Sequence, residues 1–265
     1  MTRAVSVAAT GLAVATSAHA EMSPEELAKM TQNPVANLIS VPFQNNTNFN
    51  VGPQKGTQNI LNIQPVIPIT LNENWNLITR TILPVISQPP LNRFDDRVDG
   101  LGDLQFSTFL SPANAEGLIW GAGAIVQAAT NTSSVLGNER WGLGPTAVVL
   151  KLEKGNPWVY GVLVNNVWSV SNSGSSPSYS NFLMQPFVNY NFPGGTYLVS
   201  DPIITANWQA DGKKWTVPLG GGIGHIFHLG PLPVNTQLGA YYNVARTDDG
   251  PSWQLRFQVQ LLFPK

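Results

Sequence analysis

The sequence has no cysteine, no long apolar run after its first residues and few charged residues, and each absence narrows the class of protein. Without cysteine, stability must come from something other than disulfides. Beyond residue 20, no stretch of about 20 apolar residues could form a membrane-spanning helix. Charged residues make up 11% of the chain, against roughly 25% in soluble domains. The net charge is −1 and there is no basic patch, so we expect no nucleic-acid partner.

The beginning of the chain has the pattern of a secretory signal peptide. Arg3 supplies a positive charge, residues 4–15 are apolar or small, and an Ala-His-Ala tripeptide at 18–20 forms a small-x-small cleavage site. The apolar run is too short for a good membrane-spanning helix. An N-terminal helix of a soluble protein would not explain the cleavage site. We therefore predict a signal peptide over residues 1–20.

From about residue 38, strand-like runs alternate with clusters of Gly, Pro, Asn, Asp and Ser, which are the usual turn formers. The connections between the runs alternate between tight turns and mostly longer loops, with the longest over 88–100. This alternation is typical of outer-membrane barrels. The runs predict twelve strands, over residues 38–51, 58–71, 75–87, 101–112, 118–130, 141–153, 157–170, 179–192, 196–209, 214–228, 234–246 and 253–264.

The last of these strands shows the alternation most clearly. From Trp253 to Phe263 every second residue is large and apolar, while Gln254, Arg256, Gln258 and Gln260 stand between them. A period of two places the two sets on opposite faces of a strand. One face suits hydrocarbon and the other suits water. Because only helices and closed barrels can satisfy every backbone group in lipid, we predict a closed antiparallel transmembrane β-barrel, all-β, over residues 37–265.

Residues 21–36 are predicted to contain a short helix. Ser23 fits an N-cap, a proline follows it at the first helical position, and Glu26 stands three residues on. The segment has no strong apolar face, so we predict a periplasmic tether, because short exposed termini are usually mobile. A position under the barrel mouth, or as a plug of the lumen, stays open.

All eight tryptophans fall near the ends of predicted strands. Aromatic rings with one polar edge prefer the membrane–water boundary, so these residues predict two interfacial girdles. A soluble β-sandwich, the alternative, would place its aromatic residues in the middle of its strands, at the buried centre. The loop pattern assigns Trp75, Trp120 and Trp158 to the periplasmic rim and Trp141, Trp168, Trp208, Trp215 and Trp253 to the outer rim.

The inward face is predicted to be mostly Asn, Gln, Thr and Gly, with few charges. Arg80 belongs inside because a guanidinium on the lipid face costs roughly 2–4 kcal/mol. Arg256, Asp103 and Asp201 are placed inside for the same reason. Arg80 or Arg256 could pair with Asp103 or Asp201, because buried charges need partners. Twelve strands predict a narrow or plugged bore. The predicted lumen-lining residues are Asn46, Gln64, Arg80, Asp103, Gln105, Gln185, Asp201, Gln237, Tyr241, Gln254, Arg256 and Gln258.

Proline is difficult to reconcile with a closed wall, since each proline removes a ladder hydrogen bond. Bulges are the expected accommodation. The prolines that interrupt predicted strands are Pro65, Pro84, Pro186, Pro202 and Pro218.

We expect no catalytic residues, metal or cofactor. His225 and His228 are three apart on a predicted strand, so they point to opposite faces and cannot share a metal ion. Asp95, Asp96 and Asp99 cluster in a loop, but their spacing fits no calcium-binding loop. A lipid-modifying hydrolase that uses one of the histidines is the enzymatic alternative.

Several segments resemble a known group of bacterial outer-membrane barrels, often mislabelled neuromedin U, and the broader set named for the MetA-pathway of phenol degradation. The resemblance runs from Asn33 to Lys265. It implies an exported outer-membrane transporter and, weakly, uptake of aromatic or other small hydrophobic compounds. The ending departs from many such proteins, because Pro264 and Lys265 follow the last aromatic residue. The matching segments are NPVANLISVPFQNNTNFNVGP, LNIQPVIPITLNENWNLITRTILPVI, WGLGPTAVVLK and LRFQVQLLFPK.

Together these observations predict a bacterial outer-membrane channel for passive uptake of small solutes. Its partners would be outer-membrane lipid and the solute. Besides the hydrolase, a structural barrel whose loops bind partners stays open; in that case the loop at 88–100 is the expected binding element.

Overall fold

The described part of the chain is almost entirely β-structure. In the computed structural model, residues 22–92, 95–170 and 177–264 are described; the predicted signal peptide lies outside them. No helix within these ranges is long and apolar enough to cross a membrane. The elements are α1 (Pro24–Thr31), β1 (Ile39–Val51), β2 (Gly56–Ile63), β3 (Val66–Thr70), β4 (Trp75–Gln88), β5 (Val98–Leu101), β6 (Leu104–Pro112), β7 (Gly117–Ala128), a 3₁₀ turn (Ser134–Leu136), β8 (Gly142–Leu152), β9 (Trp158–Ser169), β10 (Ser180–Asn191), β11 (Thr196–Ser200), β12 (Ile204–Asn207), β13 (Trp215–Leu229), β14 (Leu232–Ala245) and β15 (Trp253–Phe263).

The strands form one antiparallel sheet that closes on itself. Neighbouring strands follow chain order around the wall. β15 pairs with β1, from Phe263 opposite Ile39 to Trp253 opposite Phe49. We call the end that holds Ile39 and Phe263 the terminus-side rim, and the end that holds Phe49 and Trp253 the loop-side rim. The closed pairing confirms the predicted antiparallel barrel.

Fifteen strand segments make twelve crossings of the wall, because three crossings are interrupted. β2 and β3 are separated at residues 64–65, β5 and β6 at 102–103, and β11 and β12 at 201–203. The count of twelve therefore agrees with the prediction. The largest difference in a boundary is at β5, which begins at Val98 although a loop was expected to run to residue 100, because Val98 to Leu101 pair with β4.

Two of the prolines lie within strand interruptions. Pro65 falls between β2 and β3, and Pro202 falls between β11 and β12, so neither residue occupies a ladder position. Across the gap, the Gln64 amide still donates to the Pro42 carbonyl at 2.9 Å. Breaking the strand locally thus avoids the missing donor while the wall stays closed.

The other three prolines use smaller irregularities. Pro84 lies where the pairing of β4 passes from β6 to β5, and its carbonyl accepts from Gly102 at 2.9 Å. Pro218 lies at a register shift between β13 and β14. Pro186 pairs with Val162 on one side and faces the break between β11 and β12 on the other. These are the bulge-like features expected from the sequence.

The two surfaces of the wall differ as the alternation predicts. Mid-wall residues such as Leu219, Ile223 and Leu238 are about half exposed on the outer surface. On the same strands Gln237 and Tyr241 are buried on the inner surface. A wall with exposed apolar residues outside and buried polar residues inside is reversed with respect to a soluble protein.

The inner surface is nevertheless not uniformly polar, contrary to the expectation of mostly Asn, Gln, Thr and Gly. We call the inner faces of β14, β15, β1 and β2 the polar half-wall, since amide side chains dominate there. We call the inner faces of β4 and β6–β10 near the terminus-side rim the apolar half-wall. Its buried residues are Ile78, Phe109, Val148, Leu150, Val159, Leu163 and Phe187.

Candidate functional site: a lumen closed by the N-terminal segment

Arg256 is at the centre of the polar half-wall and is only 1% exposed. Its guanidinium contacts Asp201 Oδ1 at 3.0 Å and donates to the Asn46 Oδ1 (3.1 Å) and Gln254 Oε1 (3.2 Å). It also lies 4.7 Å from the centre of the Tyr241 ring, where a cation–π contact forms. The buried charge is therefore surrounded by acceptors on several strands, as a buried ion requires.

Asp201 lies at the break between β11 and β12 and is the acidic partner of that arginine. Its carboxylate also accepts from the Tyr241 hydroxyl and, at 3.5 Å, from Gln237. The strand break allows the Asp201 main-chain carbonyl to accept from Arg256 as well, at 3.0 Å. The pairing that the sequence left open is thus Arg256 with Asp201.

Amides continue the network toward the loop-side rim. Gln254 donates to Asn48 at 2.8 Å, Asn48 donates to Gln58 at 2.8 Å, and Gln58 donates to Gln88. These residues come from four strands. Each amide supplies both a donor and an acceptor, so such a chain can continue from strand to strand without a charge.

The N-terminal segment enters the barrel at the terminus-side rim. On α1, Leu27 and Ala28 are fully buried in a cluster with Tyr197, Ile226 and Leu262. Ser23 and Glu26 form a reciprocal capping box at the start of the helix. The segment that we favoured as a mobile tether is therefore packed against inward-facing wall residues.

Beyond the helix, the chain crosses to the apolar half-wall. Val35 is buried in the cluster of that half-wall, with Ile78 and Phe109 among its members. Midway, Gln32 and Asn191 exchange two amide hydrogen bonds, of 2.8 and 3.0 Å. We call residues 22–38 the plug, because they extend across the lumen from the cluster on β11, β13 and β15 to the apolar half-wall.

Above the plug lies a cavity with a volume of about 150 Å³, which is partly open to solvent. Residues 30–36 form its floor. Its sides combine amides of the polar half-wall with Leu163 and Phe187 of the apolar half-wall and Val66 of β3. The cavity can therefore contact both a polar and an apolar part of one molecule.

A second segment narrows the lumen toward the loop-side rim. Asp103 accepts hydrogen bonds from the Asn138 backbone amide (2.6 Å) and from the Gln127 side chain (3.0 Å). Leu136 is buried, and Thr132 accepts from the Leu101 amide at 3.0 Å. The β7–β8 loop is thereby fixed to the inner surface at the break between β5 and β6.

The predicted lumen-lining residues divide into two groups. Six line the cavity: Gln64, Arg80, Gln185, Asp201, Gln237 and Gln258. The others lie outside the cavity lining, within hydrogen-bond networks: Asn46, Tyr241, Gln254 and Arg256 around the buried ion pair, and Asp103 and Gln105 near the β7–β8 loop.

Several cavity residues were not singled out from the sequence. Tyr197 is buried over Gly224, where a Cβ atom would come within 2.1 Å of the ring, and its hydroxyl donates to Asn235 at 2.9 Å. Phe187 lies two residues after Gln185, which was predicted to face inward, so strict alternation could have identified it. The plug residues carry no comparable signal, because their contacts are made with strands that lie far away in the chain.

The tryptophans lie at the strand ends with their rings largely on the outer surface. Trp208 and Trp215 contact each other at 5.3 Å between ring centres near the loop-side rim. Trp75 and Trp120 do so at 6.0 Å near the terminus-side rim. Trp253 stacks on Phe49 at 3.9 Å. The remaining three, Trp141, Trp158 and Trp168, are each about half exposed.

The histidines and the aspartate cluster are not assembled into a reactive site in the part of the chain described. His225 is exposed and its Nδ1 lies 2.9 Å from the Thr196 hydroxyl; His228 is exposed near the end of the same strand. Asp95 accepts from both nitrogens of Asn92, as in a turn. Within the described ranges no three acidic or histidine side chains converge as metal ligands would.

Comparison with solved structures finds similar folds among outer-membrane proteins. An outer-membrane channel from Pseudomonas putida F1 is 19% identical, with a TM-score of 0.63 over 85% of this chain and 94% of that chain. The NanC porin is 10% identical, with a TM-score of 0.53 over 86% and 100%. At such identities the likeness shows the fold alone. Neither a protein-family model nor a curated protein matches the sequence.

Proposed function

We propose that the protein is an outer-membrane channel for the passive entry of small solutes, aromatic and hydrophobic compounds among them. The observation that carries the proposal is the cavity, which lies inside a closed wall and has the plug as its floor. A solute that reached the cavity from the loop side would need only movement of the plug to leave on the other side. The fold shared with a channel and a porin supports the same reading.

The outer surface supports a position in a bilayer. Leu219 is 58% exposed and Tyr242 is 61% exposed, and a soluble monomer rarely exposes such residues over a continuous band. Trp158 and Trp168 lie ten residues apart on β9. At about 3.3 Å per residue and a tilt near 40°, this separation corresponds to about 25 Å, the height of the apolar band in outer-membrane barrels.

The orientation follows from the two rims. Outer-membrane barrels have short turns on the periplasmic side and longer loops outside. We therefore assign the terminus-side rim to the periplasm and propose that residues 1–20 direct export. The two tryptophan groups then lie at the two membrane interfaces.

The plug is proposed to act as the gate. It is attached to the wall by two small apolar contacts, one around Leu27 and Ala28 and one around Val35, and by the amide pair of Gln32 with Asn191. The wall itself is joined by continuous strand pairing. Movement of the plug therefore breaks fewer interactions than any opening of the wall.

A disulfide between plug and wall tests this arrangement. Val35 Cγ1 lies 3.0 Å from the position that a Cβ atom would take at Gly121, which suits a disulfide between Val35→Cys and Gly121→Cys. The native chain has no cysteine, so no other thiol competes. The experiment measures planar-bilayer conductance and liposome uptake of a neutral aromatic solute. The single variant Val35→Cys is the control.

We expect the reduced double variant and the control to conduct and to admit solute, and the oxidised double variant to lose both activities. A variant that lacks residues 22–36 should conduct more than the native protein. If none of these proteins conducts or admits solute while all are folded, the channel proposal is wrong. If oxidation changes nothing in conducting proteins, the plug is not the gate.

A further inference from the structure

The cavity contains a cation for which the described residues supply no acidic partner. Arg80 is the only lysine or arginine that lines the cavity among the residues described. Its guanidinium donates to the side-chain oxygen of Gln64, a neutral acceptor. A guanidinium has five N–H donors, so one amide oxygen leaves most of its donor capacity unused.

Asp201 lines the same cavity but does not neutralise Arg80. Its carboxylate already pairs with Arg256 at 3.0 Å and accepts from the Tyr241 hydroxyl. The pair of Asp201 and Arg256 has no net charge. The cavity therefore keeps the positive charge of Arg80. Apart from Asp201, the other described lining residues contribute amides, hydroxyls and apolar groups.

The difference between the two inward arginines indicates that Arg80 is available to bind an anion. Arg256 has an anionic partner, two amide acceptors and an aromatic ring, all supplied by the protein. Buried charges are normally paired in this way. Arg80 faces an open space with one amide, which is the arrangement of a binding site whose anion comes from outside.

The rest of the cavity limits the kind of anion. Leu163 and Phe187 supply an apolar surface, and Val66 and Met30 add to it. A single guanidinium can bind a planar carboxylate through two parallel hydrogen bonds. The described lining has no second cation that could balance a doubly charged phosphate. The expected ligand has one carboxylate and an apolar body.

We infer that the cavity binds a small amphipathic monocarboxylate, with the carboxylate on Arg80 and the apolar body against Leu163 and Phe187. This inference rests on the proposed channel function and names the class of solute that the channel would favour. Gln64 would orient the guanidinium, and the neighbouring amides Gln185 and Gln258 would remain available to other polar groups of the ligand.

The test compares two probes that differ only in charge. Binding of 3-phenylpropionate and of its neutral amide is measured by calorimetry on the full-length, folded protein in detergent. The native protein should bind the carboxylate at least about tenfold more tightly than the amide, because charge-assisted hydrogen bonds are stronger than neutral ones. Arg80→Gln should remove this preference while binding of the amide stays within about twofold.

The matched control is Arg246→Gln, which loses the same charge at the loop-side rim, outside the cavity. It should keep the preference, and heat-modifiable mobility on gels checks the folding of every variant. Equal binding of both probes by the native protein, or an unchanged preference in Arg80→Gln, overturns the inference. Either result can occur in a protein that still admits neutral solutes, so failure here is distinguishable from failure of the channel proposal.

Discussion

The two halves of the inner wall use different interactions to fill the same barrel. In the polar half-wall, Arg256 and the surrounding amides form a hydrogen-bonded network, which also includes Asp201 at the break between β11 and β12. The apolar half-wall has side chains such as Phe109 and Leu163 that do not bond to one another and that accept the plug through Val35. One half therefore gives rigidity to the wall, and the other offers a surface on which a segment or a solute can be exchanged.

The difference has a physical basis, because polar networks and apolar contacts respond differently when one partner is removed. Removing one member of a buried polar network leaves its partners without hydrogen bonds, at a cost that exceeds the value of the lost contact. Apolar contacts are non-directional and can be made equally well by a different molecule. Substitutions in the two half-walls should therefore affect different properties: stability of the wall on one side, and occupancy of the lumen on the other.

The largest effect is expected at Arg256. Arg256→Met should lower the free energy of unfolding by about 3 kcal/mol, since it leaves the Asp201 carboxylate without its cation in the interior. The measurement is equilibrium unfolding in urea, followed by circular dichroism. Adding Asp201→Asn should restore much of the loss, because the remaining group is neutral. If Arg256→Met alone were as stable as the native protein, the polar half-wall would not be a coupled network.

A substitution at Val35 should affect the stability of the wall less than one at Arg256, and it should affect conductance strongly. Val35→Asp places a carboxylate among apolar residues of the half-wall, which should weaken plug docking by about 2–3 kcal/mol. Conductance should then approach that of the variant without residues 22–36, while the urea midpoint of the wall stays unchanged. Val35→Leu is the conservative control. A lowered midpoint with native conductance would mean that the plug is part of the wall.

The smallest effect is expected at the start of the plug helix. Ser23→Ala removes the N-cap, which should cost about 1 kcal/mol of helix stability and raise the open fraction a few-fold. Glu26 adds a pH dependence, because hydrogen bonds from the Ser23 backbone amide and hydroxyl lower the pKa of its carboxyl.

The pKa of Glu26 is lower in the folded than in the unfolded protein. Its contribution to the stability of the plug helix is therefore complete above the ordinary value of 4.5 and is lost as the pH falls through the lowered pKa. Conductance should therefore rise on acidification below pH 4.5 in the native protein. Glu26→Gln keeps an acceptor without a titrating group and should show a weaker rise. An identical pH profile in both proteins would exclude this carboxyl as the cause.

The sequence predicts the wall well because alternation is a local signal. The faces of β15 follow from residues 253–263 alone, and two of the three breaks in the wall contain a proline. Pro65 and Pro202 could be recognised as problems, although only the pairing of neighbouring strands shows that they fall into gaps.

The plug and the apolar half-wall could not be predicted in the same way. Leu27, Ala28 and Val35 are too few to mark an apolar face, and their burial depends on strands that lie far away in the chain. The choice of Asp201 over Asp103 as the partner of Arg256 depends on the relative height of separate strands. A periodic pattern gives the face of each residue but not its neighbours across the lumen.

The position of the plug at the beginning of the chain has a consequence for biogenesis. Leu27 and Ala28 dock on residues from β11, β13 and β15, so a segment that is synthesised early has no binding surface until the last strands are present. The plug can therefore dock only once these late strands are in place. Protease protection of residues 22–36 should therefore develop only after β1 has joined β15, so that protection of this segment reports completion of the barrel.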